Sequence, residues 1–166
     1  MSLPKEAELL GTNSAELIVK GSGAHTIVKC TAEGQQKLIA FFETPSAQGS
    51  PVPIYLALEN IRGNYDAAVL NAYLNLPDGA RPGDHRNLQA GSAGLYGLTR
   101  ASAPDNENGG QGLTSILDIS RVVSELFAAR SISPDAIPVS IIPNHPLPDS
   151  VEIVIGRISI FTTSLK

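Results

Sequence analysis

The residues of this chain that could do chemistry are few and scattered. Its three histidines, His25, His85 and His145, form no His-x-x-x-His pair, and Cys30 has no Cys-x-x-Cys partner, so the local spacings that hold zinc are missing. Surface or structural roles are expected for them. Ala90-Gly91-Ser92-Ala93-Gly94 comes near the Gly-x-Ser-x-Gly elbow of hydrolases, but alanine fills the first glycine position and no helix pattern follows the serine. No nucleophile is expected there. Asp105-Asn106-Glu107-Asn108-Gly109-Gly110 has the composition of a calcium loop, yet its third and fifth positions are wrong and no glutamate closes it. Gly91, Gly94 and Gly97 match no phosphate-loop spacing. The carboxylates Glu59, Asp66, Asp78, Asp84 and Asp118 fall near turns or strand ends, where capping is their common use. An enzymatic reading would need a site assembled by the fold from His85, His145 and turn carboxylates.

Composition narrows the partners. A chain of 166 residues suits one domain, and 42% hydrophobic with 17% charged residues is ordinary for a globular protein. Lys and Arg number 12 against 16 Asp and Glu, a net charge of −4 with no basic cluster. Nucleic acid is therefore not an expected partner. No apolar run approaches the ~18 residues of a membrane span, and no membrane partner is expected. The single Cys30 allows no internal disulfide and reads as a buried structural thiol. The N-terminus lacks a signal-peptide pattern, which is compatible with the cytoplasm but assigns no compartment. Residues 1–7 are expected to be a disordered segment or tag remnant, and residues 8–163 a single domain.

The elements that would position these groups are mostly strands. Pro53 to Gly79 alternates apolar and polar residues in two runs around Arg62-Gly63-Asn64-Tyr65-Asp66, the pattern of two long strands joined as a hairpin. Ala15 to Lys20 and His25 to Cys30 predict another hairpin across Gly21-Ser22-Gly23. Leu38, Phe41 and Phe42 at helical spacing, with Thr31 as cap, predict a short helix around 32–43. Pro45 to Pro51 is a linker-like loop. Leu88 to Leu98, rich in small residues, reads as a strand in close approach to a neighbouring backbone. Ala101 to Gly112 reads as a mobile loop. Ile119, Val122, Val123, Leu126 and Phe127 make an apolar stripe within Thr114 to Ala129, a helix around 118–129 capped by Asp118 or Ser120. Val139 to Ile142 is a strand between two prolines. In the last strand the apolar residues change parity after Ile155, which places a bulge at Gly156-Arg157. The expected fold is an all-β antiparallel sandwich, jelly-roll or immunoglobulin-like, with those two helices.

From Glu8 to Thr162 the order of short patches resembles the C-terminal domain of tyrosinase-family copper oxidases, including plant polyphenol oxidases. Glu8-Leu9-Leu10-Gly11 is similar to that domain's opening, and Ile54 to Gly63, with Glu59 and Asn60, to its VYLNLENIxG strand. Leu70 to Pro77, with Tyr73 and Asn75, stands where the plant proteins carry Phe-Asp-Val-Tyr-Val-Asn. Ala90 to Gly97, with Gly91 and Gly97, resembles AGSxxLFG, which accounts for the near-miss elbow without a nucleophile. Leu117 to Leu126, with Asp118, resembles the DITxVVxxL helix, and Val151 to Phe161, with Gly156 and Arg157, ends like VxVGRVSLY.

The resemblance implies a β-sandwich that packs on a separate helical domain holding two copper ions through six histidines. With three histidines in all, this chain is expected to hold no cofactor and to be no enzyme on its own; copper belongs to the partner domain. It implies an accessory domain of a tyrosinase-like oxidase, docked in cis or in trans, that shields the active site, controls latency or assists folding. In plant relatives a bulky loop residue plugs the active-site mouth. The matching region, Ala101 to Gly112, holds no large apolar side chain, which leaves Tyr96 and Leu98 as the docking or plug residues. The alternative is a free-standing sandwich module that binds a protein or glycan through its loops.

Overall fold

The computed structural model describes residues 7–43, 53–104 and 110–163. Among the described residues there are nine strands: β1 (Ala7–Asn13), β2 (Leu17–Val19), β3 (Ala24–Cys30), β4 (Ile54–Arg62), β5 (Val69–Leu74), β6 (Gln89–Gly94), β7 (Leu113–Asp118), β8 (Ala136–Pro143) and β9 (Ile153–Thr163). Three helices accompany them: α1 (Ala32–Glu43), α2 (Leu98–Ala101) and α3 (Ser120–Ala128). Every strand pairing is antiparallel, in the order β6-β5-β8-β3-β1-β9-β4-β7, with β2 added on β9. The sheet curls until its two end strands meet: a Cβ built on Gly91 of β6 would lie 3.2 Å from Leu117 of β7. The result is the expected antiparallel sandwich, with its layers hydrogen-bonded into one nearly closed sheet.

Several connections differ from the expected ones. The Pro53–Gly79 stretch does contain two strands, but they are not a hairpin. β4 pairs with β7 and β9, whereas β5 pairs with β6 and β8. Both backbone edges of β4 are taken by β7 and β9, which leaves none for β5, and with Leu56, Ala57 and Leu58 fully buried β4 is a central strand from which the chain crosses after Arg62 to another part of the sheet. β2 likewise lies along β9, with only the Lys20–Gly23 bridge toward β3. Leu113 to Asp118 is a strand rather than the start of a helix, because it completes the outer edge of β4. The helix begins at Ser120, where the Asp118 carboxylate accepts bonds from the Ser120 N–H at 2.9 Å and Oγ at 2.6 Å. Its stripe behaves as expected, with Ile119, Val122, Val123 and Leu126 buried.

In α1 the Thr31 hydroxyl accepts from the Gly34 N–H at 2.9 Å, as a capping residue should, and Leu38 is fully buried. The side chains of Phe41 and Phe42, the loop Pro45 to Pro51 and residues 105–109 lie outside the described residues, as does the N-terminal segment apart from Ala7, which opens β1. β8 is longer than expected and absorbs both prolines. Pro138 lies beyond the last β5 pair, Leu74–Val139, and Pro143 is the final residue of the strand, so neither missing N–H breaks the ladder's interior. The small-residue strand stops at Gly94, and Gly91 meets a side chain rather than a backbone.

The parity change in β9 is real: Ile153 and Ile155, then Ile158 and Ile160, are buried. Its register on β4 nevertheless runs unbroken, from Ile54–Thr162 through to Arg62–Val154. Register shifts lie instead on the flanking pairings: β9 against β1 shifts between Leu9 and Gly11, and on the opposite edge of β4 the register against β7 shifts between Leu58 and Ile61. There Asn60 takes φ 55°, and β4 changes parity in step with β9. Gly156 is needed because a Cβ would come within 2.9 Å of the Asn60 Cβ.

Candidate functional site

Tyr96 is the side chain that the fold presents most openly, at 93% exposure. A single exposed aromatic is ordinary; the way this one is held is not. Leu95 and Leu98 on either side are buried, at 1% and 0%, and the Leu98 N–H donates to the Leu95 carbonyl at 3.0 Å. Gly97, with φ 84° and ψ 6°, has the angles of the third residue of a type II turn, a position that asks for glycine. Tyr96 is thus thrust outward at the turn's second position. From the β4–β5 link, the Asp66 carboxylate accepts from the Thr99 N–H at 2.8 Å and Oγ at 2.7 Å. Those bonds, with one from the Gly97 backbone, hold Asp66 below the usual carboxylate range. The tip is anchored by two core leucines and pinned by one carboxylate.

Leu98, the other residue expected to dock, is a core side chain and cannot reach a partner without leaving the core. The remaining motif residues build the scaffold. Glu59 and Arg157 face each other across β4 and β9 and form a bidentate pair, Nε to Oε2 at 2.8 Å and Nη2 to Oε1 at 2.9 Å. The Ser159 hydroxyl donates to the same carboxylate at 2.7 Å. Burial pushes the Glu59 carboxyl up, but the bonds from Arg157 and Ser159 and the guanidinium charge outweigh it and leave the group below its ordinary range. Asn60 donates to the Gln111 carbonyl at 3.2 Å. Tyr73 is buried, and Asn75, at φ 57°, joins Pro138 and Ser131 through its backbone and side-chain N–H groups, each at 2.9 Å.

The fold does not gather the histidines. Among the described residues no group of three or more His, Cys, Asp or Glu is placed to hold a metal ion. His25 bonds Ser140 on the neighbouring strand, and His85 lies at a junction of 3-10 turns. Cys30 is buried, and burial first, then the Asp135 charge, pushes its thiol up to about 11, the state of an inert thiol. Among the described residues no helix is long and apolar enough to cross a membrane.

A family model described as "Domain of unknown function (DUF7868)" matches residues 6–163. The chain belongs to the DUF7868 family. This DUF7868 domain is 31% identical over 105 residues to the tyrosinase HcTyr1 of Hahella sp. (strain CCB-MM4), a match covering 63% of the chain and 22% of that protein. Its fold is similar to part of latent apple tyrosinase, with a TM-score of 0.52 at 17% identity, over 90% of this chain and 27% of that one. The chain therefore spans roughly a fifth to a quarter of the length of these proteins. Its sequence is thus similar to part of a tyrosinase, as the order of its patches implied.

Sequence reasoning found Tyr96 only as a substitute for a missing loop residue. The signal that could have ranked it above Leu98 was local: Leu-Tyr-Gly-Leu places an aromatic and a glycine at the centre of a turn between two apolar anchors. The Glu59–Arg157–Ser159 cluster had no such signal, since its members are distant in sequence.

Proposed function

We propose that this DUF7868 domain is a non-catalytic accessory domain of a tyrosinase-like copper oxidase. It packs on the catalytic domain, in cis or in trans, and shields the copper site or assists that domain's folding; copper resides in the partner. The relation to a protein named a tyrosinase, at 31% identity over 105 residues, carries this reading. The geometry of the tip supports the choice of docking residue. A rigid, exposed tyrosine loses little conformational entropy on burial, which is why tyrosine is enriched among binding hot spots.

Co-expression with a tyrosinase-like catalytic domain tests the proposal. A stable complex is expected by size exclusion, with a changed rate of phenol oxidation relative to the catalytic domain alone. Tyr96→Ala should weaken the complex by about tenfold or more, while its thermal stability stays within ~0.5 kcal/mol of wild type because the side chain is exposed. The domain alone, after copper loading, should not oxidise phenol or catechol. Turnover by the domain alone, or no complex with the catalytic domain, would overturn the assignment.

A further inference from the structure

Among the described residues one buried side-chain polar atom has no hydrogen-bond partner, the Nε–H of Arg62. A buried donor left unpaired is costly, and its presence in a folded chain asks for a reason. Arg62 ends β4, and its stem runs tight against Gly112: a Cβ there would lie 2.9 Å from the Arg62 Cγ. Its Nη2 donates to Oε2 of Glu16, so half of the fork is used. Arg157 on the neighbouring strand has the full arrangement, with Nε and Nη2 on the two oxygens of Glu59. The Arg62 and Glu16 side chains are 40% and 58% exposed, and ion pairs that open to water contribute little. Glu16 thus holds Arg62 by a weak pair, in an arrangement that leaves a buried donor unmet.

The pair borders a cavity of about 400 Å³ lined by Glu16, Asn60, Arg62, Gly110, Gln111 and Gly156, none of them with an apolar side chain. The Asn60 Nδ2 donates to the Gln111 carbonyl at 3.2 Å. The Gln111 side-chain amide is exposed and has no partner among the described residues, which leaves it to donate to a ligand. An acceptor with two oxygens in one plane suits this place, because it can take Nε and Nη2 together once Glu16 gives way. An ammonium group would meet Arg62 as a like charge, and an amide carbonyl would satisfy one arm of the fork. Phosphate has the geometry, but its second charge would fall beside the displaced Glu16. We propose that Arg62 is a carboxylate-binding residue that Glu16 occupies in the free domain, and that an acidic side chain of the docked partner displaces Glu16. For the identity of the partner this rests on the accessory-domain reading, and the position agrees with it. The Gly63 N–H donates to the Ser102 Oγ and the Gly112 N–H to the Ala101 carbonyl, each at 3.0 Å. Both neighbours of the Arg62 side chain are thereby tied to α2, the helix that starts two residues after Tyr96.

Arginine Nε–H groups give their own signals in proton–nitrogen NMR spectra, so a titration of the chain with sodium acetate at constant ionic strength tests the site directly. The Arg62 Nε–H signal should move saturably with acetate and stay in place with chloride. Glu16→Ala removes the competing carboxylate and should tighten acetate binding about fivefold, whereas Arg62→Lys, which keeps the charge but has no fork, should weaken it about tenfold, read at the Gly112 amide. In the co-expressed complex the same two variants should shift affinity for the catalytic domain in the same directions. No saturable movement with acetate, an equal movement with chloride, tighter binding of phosphate than of acetate, or a complex of wild-type affinity in Arg62→Lys would overturn the inference. The last of these leaves the accessory-domain reading standing; a wild-type chain that forms no complex removes that reading and with it the partner named here.

Discussion

Glu59 and Arg157 stand 98 positions apart and meet as a bidentate ion pair. Glu59 is 8% exposed, so removing its partner would leave a charge in a poorly solvated place. Arg157→Ala is expected to cost about 3 kcal/mol in urea unfolding; the low end of the range for broken buried pairs applies because the Arg157 side chain is 39% exposed. The pair also makes stability depend on acid. Because the folded state holds the carboxyl below its ordinary value, the pair's contribution is fully present above that value and is lost as the pH falls through the folded one. Urea midpoints measured across the acid range should fall less steeply for Glu59→Gln than for wild type, and equal slopes would refute the assignment. Both residues were singled out from the sequence as motif positions. That they touch was not legible there, because neither carries a local pattern that names its partner.

The turn Leu95 to Leu98 shows what a short element can and cannot reveal. Gly97 is at φ 84°, where a Cβ is strained even though nothing lies within 4 Å of the added atom. Gly97→Ala should therefore lower stability by about 1 kcal/mol and speed hydrogen exchange of the Leu98 amide, whose bond to Leu95 closes the turn. Unchanged thermal unfolding and exchange would show that the turn tolerates a side chain. Capping and periodicity were readable for α1 and for the body of α3, since both arise from neighbours within a few residues. The strand before α3 was not. Leu113 to Asp118 has no strong alternation of its own and is extended because β4 offers it an edge.

Across the whole molecule, β9 is the element on which the sheet depends. It lies between β1 and β4 and also receives β2, and its Ile158, Ile160 and Phe161 are buried at 2%, 0% and 0%. Deleting the chain from Ile158 onward removes these three side chains, each worth roughly 2–5 kcal/mol, against a total stability of about 5–15 kcal/mol. The truncated chain should show no cooperative denaturant transition by circular dichroism, and a wild-type-like sigmoid would disprove this dependence. The sequence by itself determined that the protein is built of antiparallel strands with two amphipathic helices, and the order of its patches carried its similarity to part of a tyrosinase. These properties reside in local spacing and chain order. Only the tertiary structure decided which strands pair, that β4 and β5 part company, that Leu98 is core while Tyr96 is surface, and that Glu16 and Arg62 meet beside a cavity. The reason is that strand pairing and burial are set by contacts between distant segments, and alternation along one strand carries no record of which edge it will meet.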